Sequence, residues 1–338
     1  RLKNFFLFQK YLILLSIFKI SYLYNLYDQS RYKDKSLYQY IIKYGPLLLD
    51  KPDIIHVQWA KEIEDWIWLK TFDIKIVLSL RGTHINTSPL ADEDLSNTYK
   101  KYFPDIAAFH YVSDAIMKVA KKYCIEPKNA LTIYSGVDLN RIKNLQLKRS
   151  DNNLKILSVG RDHWKKGYNY SILAAYLLKK DGIDFIYEII AEESEENNFL
   201  IDLLELKNQV KFKENLAYDD VLKRMRSSDL LILPSVEEGI ANVVLEAMAI
   251  GLPVISTNCG GMSEVIKNGE NGFLIDYRNP TQIFNAIKVY MTLTKSEKSS
   301  ILINARRTIE SQHNLDNSIE KFCGLYKKTL NKDSIKHN

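Results

Sequence analysis

The chain has 338 residues, of which 46% are hydrophobic, and a formal net charge of +6 at pH 7. This length predicts two globular domains, each with enough apolar residues to bury a core. The three cysteines, Cys124, Cys259 and Cys323, are odd in number and far apart, so neither a disulfide framework nor a zinc site is indicated and a reducing cytoplasm fits best.

The first fifty residues are the basic part of the chain, with eight Lys and Arg against three Asp. The longest uncharged stretch before Lys19 covers residues 11–18, which is too short to span a bilayer, because a spanning helix needs about 20 apolar residues. No small-residue cleavage site follows that stretch, so a secretory signal is not indicated either.

Two interpretations of this basic segment remain open. Lysines mixed with Phe, Leu and Tyr are typical of a helix that lies on an anionic membrane surface, which here would be the inner face of the membrane. The favoured alternative is a helix packed on the sheet of the first domain. Nucleic-acid binding is not indicated, because no recognised binding module accompanies the charge.

Strand and helix patterns alternate in the first half of the chain. This order predicts a parallel sheet with helices on both faces. The predicted strands are residues 52–60, 75–83, 107–113 and 130–137, with helical stretches around Trp66 and Trp68 and over residues 113–124.

A polar segment at residues 139–153 is predicted to link two domains, which we place at 1–148 and 149–338. The second domain opens on a strand at Leu154 and continues with strands at 185–191 and 210–214 and a helix at 219–228. Its C-terminal part is predicted to be helical, with the last helix packing back on the first domain.

The segment from Pro234 to Ile266 contains two carboxylates, Glu238 and Glu246, separated by seven residues. A buried parallel strand, LLILPS, precedes Glu238, and a helix is predicted to begin near Ala241 or Asn242. The first N–H groups of such a helix lack intrahelical partners and favour anionic or hydroxyl oxygens of a ligand, which Gly239 allows to approach closely. Glu246 is expected to project from the same helix end and to accept hydrogen bonds from two vicinal hydroxyls.

The segment from Leu154 to Leu178 reads as a strand that turns into an amphipathic helix after Gly167. Arg161 and Lys166 lie five residues apart across that turn, so both cations can reach one point above the sheet edge, where a diphosphate would lie. The alternative is that they form a solvated basic turn.

Together these blocks resemble the donor-site signature of retaining family 4 glycosyltransferases, the glycosyl transferases group 1. The resemblance covers about residues 50–325. It implies an α/β protein of GT-B fold, with two Rossmann-like domains whose parallel sheets face a cleft. It also implies transfer of a sugar, with retention, from a nucleoside diphosphate to a hydroxyl of a glycan or lipid-linked acceptor in cell-surface polysaccharide synthesis, with neither metal nor cofactor.

The resemblance also implies a role for individual residues. Glu238 and the backbone that follows it would hold the donor sugar, Glu246 would hold the ribose, and two cations would neutralise the diphosphate. The expected catalytic residues are Arg161, Lys166 and Glu238, the donor-binding residues are Gly160, Gly239, Ile240, Ala241, Asn242 and Glu246, and the acceptor-side residues are Arg81 and His84.

Three departures from the family pattern are visible. No early strand with a Gly-rich turn is present, so we expect the first strands of domain one to be absent. The turn that commonly reads His-Gly-x-Asp is Arg-Gly-Thr-His at residues 81–84, and no Gly-x-Gly follows the strand at 185–191. These departures favour the alternative of a non-catalytic relative that binds nucleotide sugar or glycan as a partner subunit. A sugar phosphorylase or nucleotide-sugar epimerase is a rival within the enzymes, and a dehydrogenase is disfavoured because no Gly-x-Gly-x-x-Gly follows a strand.

Overall fold

The computed structural model describes residues 2–34, 36–124, 127, 129–142, 153–214 and 216–331. The fold is α/β, with two parallel sheets of four and six strands, as predicted. Most of the predicted linker, including the boundary between residues 148 and 149, lies outside the described residues.

The first sheet has its strands in the order of the chain, β1-β2-β3-β4, and all pairs are parallel. All four predicted strands are present, although each is shorter than its apolar run. They are β1 Ile54–Val57, β2 Lys75–Leu80, β3 Ala108–Tyr111 and β4 Ala130–Thr132.

The second sheet has the order β10-β9-β8-β5-β6-β7. The chain moves from β5 outward to β7 and then returns to the other side of β5, so the strand order reverses between β5 and β8. Ligands of open parallel sheets bind at the carboxyl ends of strands at such a reversal. The strands are β5 Leu154–Val159, β6 Phe185–Ile190, β7 Val210–Lys213, β8 Leu230–Leu233, β9 Val254–Thr257 and the unpredicted edge strand β10 Phe273–Ile275.

Helices connect these strands and cover both sheets, and four short 3₁₀ turns occur at Ala60–Glu62, Ile67–Phe72, Phe103–Asp105 and Trp164–Lys166. The α-helices of the described residues are α1 Leu2–Phe18, α2 Ile20–Tyr32, α3 Leu37–Asp50, α4 Ile63–Trp66, α5 Thr83–Asn86, α6 Ser88–Ala91, α7 Glu93–Tyr102, α8 Asp114–Ala120, α9 Leu139–Ile142, α10 Tyr168–Lys180, α11 Glu195–Leu203, α12 Tyr218–Arg226, α13 Asn242–Ile250, α14 Met262–Val265, α15 Pro280–Thr292, α16 Lys295–Gln312 and α17 Leu315–Asn331.

The basic N-terminal segment forms α1 and α2, which pack on α3. Leu15 and Leu26 are buried, and α3 buries Tyr40 and Tyr44 against the tryptophan-rich turn that follows β1. The outer side of α1 and the start of α2 leave large apolar side chains exposed, namely Phe5, Phe6, Ile13, Ile17, Phe18 and Ile20. Within the described part of the chain, every helix falls short of the length and apolarity that crossing a bilayer requires.

Helix α17 lies against the first sheet although it follows the second domain in sequence. Its Leu325 is buried with Val77 and Ala108 of that sheet. The Tyr326 hydroxyl is 2.7 Å from Nδ1 of His56, a residue of β1. The chain therefore begins and ends its described path on the first domain.

Candidate active site

The loops after β5 and β8 meet at the reversal of strand order. Gly167, which ends the loop after β5, has φ +65°, and a Cβ there would lie 2.3 Å from the Pro234 carbonyl oxygen. Glycine is therefore required on both conformational and steric grounds. The cross-loop hydrogen bond from Val236 N–H to the Lys165 carbonyl, 2.7 Å, holds the two loops together.

These loops border an open cleft of about 630 Å³ on the second domain. Seven of the nine residues predicted from this domain line the cleft, while Gly239 and Glu246 do not. The seven are Gly160, Arg161, Lys166, Glu238, Ile240, Ala241 and Asn242.

Lys166 and Glu238 form a tight ion pair at the floor of this cleft. Lys166 Nζ lies 2.7 Å from Glu238 Oε1, and the Ser235 hydroxyl donates to the same oxygen at 2.8 Å. Their side chains are 16% and 12% exposed. The pair fixes both side chains, and Lys166 keeps further N–H donors that an anionic oxygen can take.

Arg161 is exposed at the rim of the cleft, one residue beyond Gly160. A Cβ at Gly160 would lie 2.7 Å from the Tyr168 hydroxyl and 3.1 Å from Lys166 Cε, so glycine is needed here to make room for these two side chains. The Tyr168 hydroxyl is buried without a hydrogen-bond partner among the described residues, and burial raises its pKa. Sequence analysis missed Tyr168.

The helix predicted after Glu238 begins at Asn242, with Ala241 in the cap position. Gly239 does not line the cleft: a Cβ there would lie 3.0 Å from Val112 Cγ2 of the first domain. The Gly239 carbonyl accepts the Gly261 N–H at 2.7 Å. The turn at Gly260 and Gly261 therefore packs on the turn at Gly239, and the Gly261 N–H is already paired.

The sequence had suggested that Glu246 projects from the same helix end as Glu238, and the structure differs. Glu246 lies in the second turn of α13 and lines a separate cavity of about 220 Å³, which adjoins the cleft at Asn242. The Tyr218 hydroxyl donates to Glu246 Oε1 at 3.1 Å. Burial raises the pKa of the Glu246 carboxyl, and the hydrogen bond from Tyr218 opposes that rise.

Glu237, the neighbour of Glu238, points the other way and contacts the first domain. Its carboxylate accepts hydrogen bonds from Thr83 Oγ1 at 3.1 Å and Asn86 Nδ2 at 2.9 Å. Lys165 Nζ donates to Thr83 Oγ1 and lies 3.8 Å from Glu237. We call these four residues the Glu237 contact.

Glu264 makes a second contact between the domains. Its two carboxylate oxygens accept the backbone N–H groups of Asp114 and Ala115, each at 2.8 Å, at the start of α8. The Tyr134 hydroxyl donates to the same carboxylate at 3.0 Å. A carboxylate is well suited to these unpaired N–H groups. Nothing in the spacing of the sequence indicates this partner of Glu264.

Arg81 and His84, the predicted acceptor-side residues, lie at the carboxyl end of β2 in the first domain. Arg81 donates to Gln58 Oε1 at 2.7 Å, and the His84 ring packs against Trp59 at an interplanar angle of 41°, with ring centroids 4.7 Å apart. Arg81 Nε and His84 Nδ1 are buried without partners among the described residues. Burial lowers the pKa of His84, and Lys61 and Lys165 lower it further.

Within the described residues, no group of three His, Cys, Asp or Glu side chains is placed to hold a metal ion. An Asp-x-Asp sequence does occur at residues 92–94. There Asp92 Oδ1 accepts the Leu95 N–H at 2.9 Å as the cap of α7.

Comparison with known proteins shows what the chain is similar to. Residues 141–308 match the family model described as glycosyl transferases group 1. A glycosyltransferase of Escherichia coli K12 provisionally assigned to colanic acid biosynthesis, WcaL, is 28% identical over 205 residues, covering 58% of this chain and 50% of the relative. The amylovoran biosynthesis glycosyltransferase AmsK of Erwinia amylovora is 25% identical, covering 77% of this chain and 66% of the relative. The chain spans about half the length of the first curated relatives it matches.

Solved structures show the same fold. A glycosyltransferase of Rickettsia africae ESF-5 superposes with a TM-score of 0.74 at 22% identity, covering 86% of this chain and 80% of its own. Anabaena Alr3699/HepE in complex with UDP-glucose has a TM-score of 0.71 at 18% identity, covering 82% and 79%. The chain therefore has the GT-B fold, and the sequence of its residues 141–308 is similar to the glycosyl transferases group 1.

Proposed function

We propose that this protein transfers a sugar from a nucleoside diphosphate to a hydroxyl of a growing glycan or lipid-linked acceptor, with retention at the anomeric carbon, in polysaccharide synthesis. The observation that carries the proposal is the Lys166–Glu238 pair beside Arg161, in an open cleft at the reversal of strand order. The group 1 match and the relatives named for polysaccharide synthesis support it.

In this proposal the two cations act on the leaving group. When the bond between the anomeric carbon and the diphosphate oxygen breaks, negative charge grows on the diphosphate. Arg161 at the rim and Lys166 at the floor are the cleft residues suited to neutralise it, so the reaction needs no metal. Glu238 holds Lys166 in place and presents its second oxygen to a hydroxyl of the donor sugar.

Retention requires the acceptor hydroxyl to approach the face from which the diphosphate leaves. The new carbon–oxygen bond then forms as the old one breaks, and the acceptor proton passes to a departing diphosphate oxygen. Arg81 and His84 are the proposed acceptor-side residues, because they lie at the carboxyl end of β2 in the first domain. Fixing both reactants in this geometry can lower the barrier by about 7–11 kcal/mol.

We further propose that the N-terminal helices rest on an anionic membrane that presents a lipid-linked acceptor. Support comes from the exposed Phe and Ile side chains of α1 together with Lys10 and Lys19. Apolar groups that enter the interface and cations that meet anionic headgroups act together in such binding.

Calorimetric titration with UDP-, GDP- and ADP-sugars tests the donor assignment. One of them is expected to bind without added metal, and a second titration with excess chelator is expected to give the same affinity. Product analysis with the bound donor then distinguishes a transferase from a non-catalytic relative, because the former releases nucleoside diphosphate. Absence of binding by all three donor classes overturns the proposal.

A further inference from the structure

Glu246, the proposed ribose-binding carboxylate, accepts a hydrogen bond from a residue outside the Glu-x7-Glu motif. Its cavity is formed by α13, by Tyr218 at the start of α12, and by the segment 136–141, which leaves the first domain. Tyr218 reaches in from the side opposite α13 and donates its hydroxyl to Oε1 at 3.1 Å. The second oxygen, Oε2, has no hydrogen-bond partner among the described residues, and Glu246 lines the cavity that adjoins the donor cleft at Asn242.

Tyr218 is itself held by Arg141. The Arg141 guanidinium carbon lies 4.4 Å from the centre of the Tyr218 ring, a cation–π distance. The same guanidinium pairs with Asp219, the next residue of α12, at 2.5 Å. The contacts of Arg141 with Tyr218 and with Asp219 hold the Tyr218 ring in place over the cavity.

Arg141 is anchored in turn by the segment that joins the domains. Asp138 Oδ1 accepts the N–H groups of Asn140 and Arg141 at 3.0 and 3.3 Å. Ile142, the next residue, is buried in the apolar cluster that includes Leu245 of α13. The connecting segment thus contacts both the helix that carries Glu246 and the ring that bonds to it.

We propose that Tyr218 is a positioning residue for the ribose-binding carboxylate Glu246, and that Arg141 sets its position from the segment connecting the two domains. This inference rests on the proposed nucleotide-sugar function. Tyr218 occupies Oε1 and orients the carboxylate so that Oε2 accepts a ribose hydroxyl. The connecting segment is therefore part of the nucleotide site, and selectivity for ribose over deoxyribose depends on a residue outside the Glu-x7-Glu motif.

The test is calorimetry with the preferred nucleoside diphosphate and its 2′-deoxy and 3′-deoxy analogues. Tyr218→Phe keeps the ring over the cavity and removes only the hydroxyl. We expect about tenfold weaker binding of the ribonucleotide, as for one hydrogen bond to a charged group, and a smaller loss for the deoxy analogue whose missing hydroxyl had bonded to Oε2. Arg141→Gln is expected to act in the same direction, and Arg141→Lys to restore part of the affinity.

Arg224→Gln is the matched control, because Arg224 lies on the same helix and pairs with Glu188 at 3.5 Å, away from the cavity. It should leave the affinities unchanged. A Tyr218→Phe variant with the wild-type ratio of ribose to deoxyribose affinities overturns the inference, even if its melting temperature falls, and leaves the proposed function standing. A wild-type protein that binds no nucleoside diphosphate overturns the proposed function and this inference with it.

Discussion

In the second domain, the charged side chains at the ends of β5 and β8 line an open cleft. In the first domain, the polar side chains at the ends of β1 and β2 are largely bonded to each other, as in Arg81 with Gln58. Below that edge, His56, Ser79 and His110 form a buried hydrogen-bonded chain with distances of 2.8 and 2.7 Å.

The difference indicates that the polar side chains of the two domains serve different purposes. Polar groups that face an open cleft can meet a ligand and change its reactivity, whereas polar groups bonded within a core mainly stabilise one arrangement. Substitutions of the cleft side chains in the second domain should therefore alter activity more than stability, and substitutions in the His56–Ser79–His110 chain of the first domain should do the reverse.

The largest expected effect is on the cleft side. Lys166→Ala should lower turnover at saturating donor by roughly a hundredfold to a thousandfold, because its charge acts most strongly on the departing diphosphate. Lys166→Gln keeps the length of the side chain and should show the same loss. Lys288→Ala is the matched control, since Lys288 lies on α15 and pairs with Asp181 at 2.9 Å, away from the cleft. Normal turnover in both Lys166 variants would refute the catalytic assignment.

Next in size is Glu246→Ala. Hydrogen bonds to a carboxylate contribute about 1.5–3 kcal/mol each, so affinity for the nucleotide sugar should fall at least tenfold while the fold survives. Calorimetry measures the affinity and circular dichroism checks the fold. Unchanged donor affinity would remove Glu246 from the ribose site.

Glu264→Gln tests the boundary between the two domains. An amide cannot accept both α8 N–H groups, so we expect a loss of about 1–3 kcal/mol in the free energy of unfolding. Donor binding to the second domain should persist while transfer slows, because the two halves of the site are less well fixed. Glu270→Gln is the control, because Glu270 is an exposed glutamate in the loop that follows α14. Loss of donor binding in Glu264→Gln would contradict the comparison.

His56 and His110 predict how the stability of the first domain depends on pH. Burial, with a smaller contribution from Arg81, lowers the pKa of His56 and of His110 to about 4, while the unfolded chain takes up these protons near pH 6.5. The unfolded state thus binds more protons between these values. Stability should fall as pH falls from about 6.5 to about 4, by about 1.4 kcal/mol per pH unit for each independent group.

Urea unfolding at pH 7 and pH 5 measures this slope. His110→Asn should reduce the difference between the two pH values, whereas His163→Asn, on the exposed loop after β5, should leave it intact. An unchanged slope in His110→Asn would show that other groups cause the pH dependence.

A separate prediction concerns the N-terminal helices, where each single lysine is expected to contribute little. Replacing Lys3, Lys10 and Lys19 with Gln should weaken sedimentation with anionic liposomes by about 1 kcal/mol per lysine, and the effect should shrink as salt increases. Lys207, Lys211 and Lys321 replaced together form the control. If the unaltered protein ignores such liposomes at low salt, α1 and α2 serve packing alone.

Sequence reasoning found the elements whose signal is local. The apolar runs at β2, β5 and β8, the helix start at Asn242 and the convergence of Arg161, Lys166 and Glu238 all follow from pattern and parallel topology. Strand β10 was missed because three residues are too short to show a period.

The contacts that sequence reasoning missed join distant parts of the chain. Glu237 and Glu238 are adjacent and chemically identical, yet one bonds to Thr83 and the other to Lys166. Which way each side chain points depends on how the loop enters the cleft and on how the second domain meets the first. Glu264 is 150 residues from its partner Asp114. Neither pairing can be recognised from the spacing of residues or from the hydrophobic periodicity of the sequence.

The two segments that connect the domains lie close together, which matters for protein engineering. Val137 donates its N–H to the His313 carbonyl at 2.7 Å and accepts the Leu315 N–H at 3.2 Å, so the outgoing and returning strands lie side by side. The second domain is thus an insert with neighbouring ends. Because the two segments run parallel, a short turn cannot join them. Recombination of the two halves with those of other GT-B proteins therefore requires two junctions, one near Val137 and one near Asn314, and it keeps α17 in place on the first sheet.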